Sequence, residues 1–264
     1  MSGLLDGKVA VVSGAGPGLG REIALTLARH GADVALGARD VARLTTVADE
    51  VRGLGRGAVA VATDITDPHA CAAFANAAHL EFGRVDVLVN NAYHHGSFKG
   101  LMESDDLSLW RAAVDVNYFG TLNMTRAVVP HLRSGGGGSI VMVNTMAIQR
   151  IEARFGSYAG SKAALAGVTK TLAVELGRDS IRVNGVHPGY IWGESVRQYF
   201  DYRAAKLGVQ PQRVYDEVAA ETALKVLPTE QDIANAILFL ASDLSRAITG
   251  IGLSVNAGQF FPSA

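Results

Sequence analysis

The chain has 264 residues, 48% hydrophobic and 19% charged, with 24 Lys and Arg against 25 Asp and Glu for a formal net charge of −1. A chain of this length and hydrophobicity can bury about three quarters of its unfolded surface, which excludes disorder as a description of the whole. The balanced charge argues against a nucleic-acid binder, and no run of about 20 uncharged apolar residues offers a membrane span. The single cysteine, Cys71, cannot form an internal disulfide and fits a reducing compartment. The opening MSGLLDGKVAVV lacks the charged and long apolar regions of a signal peptide, so a cytoplasmic protein is expected.

Taken in chain order, short Val/Ile-rich runs lie at residues 9–12, 34–36, 59–62, 85–89, 140–143, 181–186 and 253–255. Between them lie amphipathic, Ala-rich stretches at residues 19–30, 41–53, 68–82, 107–132 and 158–176. Short, continuously apolar strands are buried on both faces, as in parallel sheets. Their alternation with helices predicts right-handed crossovers and a doubly wound α/β fold with seven parallel strands. The glycine run at residues 135–138 is short and precedes a strand, so it reads as a helix-to-strand loop and not as a domain linker. The alternation breaks at residues 192–222, a polar, aromatic, helix-prone stretch interrupted at Gln210 and Pro211. An insertion there predicts a helical lid over a site at the carboxyl ends of the strands, within a single domain spanning residues 1–264.

After the first strand comes SGAGPGLG, residues 13–20. It does not fit G-x-G-x-x-G, because the sixth position is Leu19; it fits G-x-x-x-G-x-G through Gly14, Gly18 and Gly20. A glycine turn between strand and helix lets the backbone, Leu19 included, approach a pyrophosphate at a helix N-terminus. The end of the second strand reads the cofactor ribose, an acidic residue holding a 2′-hydroxyl and a basic one a 2′-phosphate. The sequence offers both, Arg39 and Asp40, and spacing alone does not choose between them.

The segment YAGSK places Tyr158 and Lys162 on one face of a helix, one turn apart. A free tyrosine titrates near 10, too high for efficient proton transfer at neutral pH. A lysine charge about 4 Å away is worth roughly 4 kcal/mol at an effective dielectric of 20, enough to bring such a tyrosine toward 7. His94 and His95 lack any metal-ligand spacing, and no metal site is expected.

The glycine loop at residues 14–20, NNA at 90–92, Y-x-x-x-K at 158–162, PG at 188–189 and ITGIGLSVNAG at 248–258 together resemble the short-chain dehydrogenase/reductase family. The resemblance runs through essentially the whole chain and implies a Rossmann fold. It further implies an NAD(P)-dependent oxidoreductase interconverting secondary alcohols and ketones. At matching positions it implies that Tyr158 is the general acid/base. Lys162 would hold the nicotinamide ribose and lower the tyrosine pKa, Asn117 would hold a relay water, and Thr145 would stand in the place of the substrate-orienting serine. Asp64 and Ile65 would meet the adenine, Asn90, Asn91 and Ala92 would shape the cofactor cleft, and Pro188, Gly189 and Ile191 would line the nicotinamide end. A homotetramer pairing helices 107–132 and 157–178 is also implied.

Several positions depart from that pattern. Thr145 keeps the hydroxyl but is restricted in rotamer. Tyr93 replaces a glycine, and Gly193 lies where a threonine is frequent. The usual NAD-type aspartate position is Ala38, followed by Arg39, which favours NADP(H) over NAD(H), although Pro17 withholds a second basic residue in the loop. Tyr93, Phe98, Phe155, Tyr190, Trp192, Tyr199, Phe200 and Tyr202 surround the expected substrate end. They point to a bulky apolar small molecule, unless they pack the lid or a subunit interface. A 3-oxoacyl thioester reductase and a non-catalytic nucleotide-binding member of the same fold are the alternatives.

Overall fold

The computed structural model describes residues 3–261. Val9–Ser13 (β1), Asp33–Ala38 (β2), Ala58–Ala62 (β3), Val87–Asn90 (β4), Gly138–Val143 (β5), Ile181–Pro188 (β6) and Gly252–Val255 (β7) pair in parallel in the order β3-β2-β1-β4-β5-β6-β7. The seven expected strands are all present.

Alternate residues of the central strands feed two cores, which is why they read as unbroken apolar runs. Ala10 and Val12, Val34 and Leu36, Val87 and Val89, and Val141 and Val143 pack on one face. They meet Leu19–Arg29 (α1), Val41–Gly53 (α2) and Glu230–Ala241 (α9), through residues such as Ile23, Leu27, Leu44 and Ile237. Val11, Ala35, Leu88, Ile140 and Met142 pack on the other. They meet Pro68–Phe82 (α3), Thr121–Ser134 (α5) and Gly156–Leu176 (α6), through Phe74, Met124, Leu132 and Leu165. Each fully buried aliphatic or aromatic side chain contributes about 1.5–3 kcal/mol of transfer free energy.

Two stretches resolve more finely than the periodicity implied. The amphipathic stretch at 107–132 is Ser108–Val114 (α4), a π-helical turn Asp115–Gly120, and α5. The glycine run is a turn, with Gly136 and Gly137 at positive φ and Gly138 already in β5.

The insertion folds as Glu194–Leu207 (α7) and Pro211–Ala220 (α8), broken by Gln210 as N-cap and Pro211 in the first turn. The pair has a small core of its own, centred on Phe200, Ala204, Val214, Val218 and Leu227, with Tyr190, Trp192 and Tyr215 packed against it.

Candidate functional site

The strand order reverses between β1 and β4, where Ser13 pairs with Asn90. Ligands of open α/β sheets bind outside the carboxyl ends of strands at such a point. The glycine loop leaves β1 there, and the NNA segment leaves β4 beside it. The Asn91 side chain donates to the Gly14 carbonyl at 2.7 Å, and the Asn91 and Ala92 amides both donate to Ser13 O.

The loop glycines are required by space and conformation. Gly14 has φ +83°, and a Cβ there would lie 2.6 Å from Ala92 Cα. Gly18 has φ +86°, and a Cβ on Gly20 would press 3.0 Å from the Asn91 side-chain nitrogen and collide with Gly14 O. Backbone therefore lies bare at the N-terminus of α1, the arrangement that accepts a phosphate.

At the end of β2, Asp40 caps α2, accepting from the Arg43 amide at 3.2 Å and pairing with its guanidinium at 3.1 Å. Arg39 is exposed beside it and forms no ion pair with any described residue. Asp64 accepts from the Thr66 amide (2.9 Å) and hydroxyl (2.7 Å), and these bonds hold its carboxyl below the usual range. Ile65 beside it is buried, its side chain filling the space over Gly120.

Tyr158, Lys162 and Thr145 meet at the carboxyl end of β5. Thr145 Oγ1 accepts from the Ala147 amide at 3.1 Å, and its hydroxyl acts on the Tyr158 phenol, favouring the ionised form. Lys162 is only 1% exposed, and its Nζ donates to Val143 O at 2.7 Å. Burial lowers its pKa from 10.5 to about 7. Burial, and then Tyr93, raises the Tyr158 pKa, against a smaller lowering by Thr145. The lysine effect expected from the spacing of the two residues is therefore not what governs the tyrosine here. Lys162 is aimed at a strand carbonyl, and its own charge is disfavoured by burial.

Asn117 lies in the π-helical turn, fully buried. Its Oδ1 accepts from the His94 amide at 2.7 Å, and its Nδ2 donates to His94 O at 2.8 Å and Ser161 Oγ at 2.9 Å. The side chain thus pins the segment carrying Tyr93 and His95 to α6. His94 Nδ1 in turn accepts from the Gly96 amide at 2.9 Å. Two buried polar atoms near the strand ends, Asn90 Oδ1 and Asn144 Nδ2, have no partner among the described residues. Pro188 ends β6; the Gly189 amide donates to Val255 O, and Ile191 packs against the first core.

The eight aromatic residues divide. Phe200 is 1% exposed and, with Tyr190 and Trp192, packs the insertion internally. Tyr93 sets its edge toward Tyr158, the ring centroids 6.3 Å apart. From Tyr93 the rings continue to His95 (5.7 Å), Phe98 (5.5 Å further) and Phe155 (5.9 Å further). Tyr93 and Phe98 are more than half exposed, so an apolar wall leads away from Tyr158. His95 had no signal in the sequence. Asp40 did: an Asp directly before an amphipathic run is an N-cap signal.

A glycine cradle at a strand-order reversal is the arrangement of dinucleotide-binding α/β folds, and Tyr158, Thr145 and buried Lys162 stand two strands along the sheet from it. The profile of the family described as Enoyl-(Acyl carrier protein) reductase matches residues 14–259. The 7alpha-hydroxysteroid dehydrogenase of Escherichia coli K12 is 35% identical over 254 residues, covering 96% of this chain and 94% of the relative. The crystal structure of carveol dehydrogenase from Mycobacterium avium in complex with NAD superposes with a TM-score of 0.91 at 33% identity, covering 98% of this chain and 99% of that one. A 7 alpha-hydroxysteroid dehydrogenase complexed with NADH and 7-oxo glycochenodeoxycholic acid gives 0.85 at 35% identity, covering 96% and 94%. The chain belongs to the short-chain dehydrogenase/reductase family and is an oxidoreductase of that family.

Proposed function

We propose that the protein interconverts a bulky apolar secondary alcohol and its ketone with a nicotinamide dinucleotide, NADP(H) in preference to NAD(H). The observation that carries this reading is the convergence of Tyr158, Thr145 and buried Lys162 at the end of β5, two strands along the sheet from the glycine cradle. The cofactor, when bound, gives or takes the hydride; the protein supplies position and the proton. Backbone at Gly14, Gly18, Leu19 and Gly20 would hold the diphosphate. Asp64 and Ile65 would meet the adenine, and Asn91, Ala92, Pro188, Gly189 and Ile191 would line the cleft toward the nicotinamide.

In ketone reduction the Thr145 hydroxyl polarises the carbonyl, and Tyr158 protonates the oxygen. A pKa held high keeps the phenol neutral and able to donate. Lys162 would offer the remaining N–H groups of Nζ to the ribose hydroxyls, and Asn117 is a positioning residue that fixes the Tyr93–His95 segment. The preference for NADP(H) is supported by Arg39, exposed and without an ion pair among the described residues while Asp40 is committed to the α2 cap. The two solved relatives hold NAD and NADH, so both cofactors belong in the test.

The Tyr93–His95–Phe98–Phe155 wall suits an extended ring system. A homotetramer is supported by exposed apolar side chains on the helices expected to pair, Leu109, Phe119 and Val174 at 49%, 54% and 85% exposure. The free, buried Cys71 thiol is consistent with work in the cytoplasm. Initial rates on a panel of polycyclic, monoterpenoid and acyl-thioester ketones, with NADPH and NADH side by side, test the reading. Rates highest with a polycyclic or terpenoid ketone and NADPH support it. Turnover of the thioester alone, or a preference for NADH, contradicts the substrate or cofactor part respectively.

A further inference from the structure

Glu230 opens α9, but its carboxylate reaches back to the glycine loop. A Cβ placed on Gly18 would stand 3.2 Å from Glu230 Oε1, and one placed on Gly193 would lie 2.9 Å from Glu230 Cδ. Gly193 has ordinary extended backbone, φ −120° and ψ −176°, so its conformation does not call for glycine. The space a side chain at 193 would fill is taken by Glu230.

No described residue gives the carboxylate a hydrogen bond, and the charged groups that act on it are Glu22 and Arg21 of α1 and Arg197 of α7. Both arginines have other contacts. Arg21 binds Glu50 at 2.9 Å and also faces Glu22, while Arg197 rests over the Trp192 ring, 5.2 Å from its centroid. Glu22 adds a second negative charge, itself paired to Arg29. Burial, and then Glu22, raises the Glu230 pKa above the ordinary carboxylate value.

A diphosphate arriving on the amides at the start of α1 would meet this carboxylate at close range, in a site that water only partly screens. We propose that Glu230 couples dinucleotide binding to proton uptake, its carboxyl being neutral when the diphosphate lies against Gly18–Gly20 and ionised when it does not. The proton comes from solvent and returns to it on release; no bond other than O–H is made or broken. Gly193 leaves the room in which the carboxyl can sit beside the incoming anion. The inference rests on the dinucleotide reading above.

The test is calorimetric titration of wild type and Glu230→Gln with NADH, from pH 6 to 9, in buffers of different ionisation heat. NADH carries no 2′-phosphate, so the ligand adds no titration of its own in this range. Lys162, with a pKa of about 7, contributes to both proteins alike, so the difference between them isolates Glu230. Wild type should take up as much as one proton per NADH. Its Kd should rise with pH relative to the variant, by up to about tenfold per unit between the free and bound pKa values. Glu230→Gln should therefore bind NADH at least about tenfold more tightly than wild type at the top of the range. Superimposable pH profiles overturn the proposal, as does weaker binding by the variant at every pH, which would make the ionised carboxylate a direct ligand. Failure of both proteins to bind either NADH or NADPH at any pH overturns the dinucleotide reading itself, and this inference with it.

Discussion

Replacing Lys162 by methionine should stabilise the protein while disabling it. Lys162 is buried to 1% exposure with its Nζ on one carbonyl oxygen, and burial lowers its pKa from 10.5 to about 7. Below pH 7 the side chain is charged in both the folded and the unfolded chain, and the folded state bears the burial cost in full. Between about 7 and 10.5 the folded state has released the proton and the unfolded state has not, so stability rises with pH across that window. The shift corresponds to about 5 kcal/mol at most. Methionine removes that cost but leaves Val143 O without its donor, which returns about 1–3 kcal/mol. Lys162→Met should thus be about 2–4 kcal/mol more stable than wild type at pH 6. The advantage should shrink and then reverse toward pH 10. Urea unfolding of both proteins at pH 6, 7.5 and 9, at one protein concentration, measures it. A wild type more stable at pH 6, or a difference that does not change with pH, would refute the reasoning.

Two further outcomes follow from the cofactor end. Gly14→Ala should lower stability by about 2–4 kcal/mol, from left-handed backbone and overlap with Ala92, and should abolish dinucleotide binding; thermal unfolding and NADPH titration check both. Arg39→Ala should weaken NADPH binding about tenfold or more, the worth of a charge-assisted hydrogen bond, and leave NADH binding within about twofold. Equal losses for the two cofactors would remove Arg39 from the 2′-phosphate.

The architecture was legible because a parallel sheet buries both faces of each strand. Val9–Ser13 and Val87–Asn90 therefore announce themselves as apolar runs with no need of a partner. The glycine loop was legible because Gly14 and Gly18 adopt positive φ and Gly20 abuts another backbone, constraints that exclude other residues. The chemistry at Tyr158 was legible as a set of residue types but not as electrostatics. Helical spacing placed Lys162 on the same face as the tyrosine; it could not show that Nζ would turn to Val143 O or that both groups would be so desolvated.

Asn117 behaved similarly, its side chain spent on the His94 backbone across 23 residues, where no local pattern could reveal it. The aromatic residues near the insertion divide by packing, Phe200 inward and Tyr93 outward, although composition presented them alike. Glu230 was invisible because its meeting with Gly18 and Gly193 is made by the fold, between a loop after β1, the start of α7 and the start of α9.

The central claim is that Tyr158 passes the proton while the rest of the site holds the reactants. The most direct measurement pairs turnover with cofactor affinity in Tyr158→Phe, using whichever ketone of the panel wild type reduces fastest. The account predicts a loss of turnover of at least about a hundredfold, the lower range for positioned acid catalysis, with NADPH affinity within about threefold of wild type. A variant that keeps most of its rate would contradict the account.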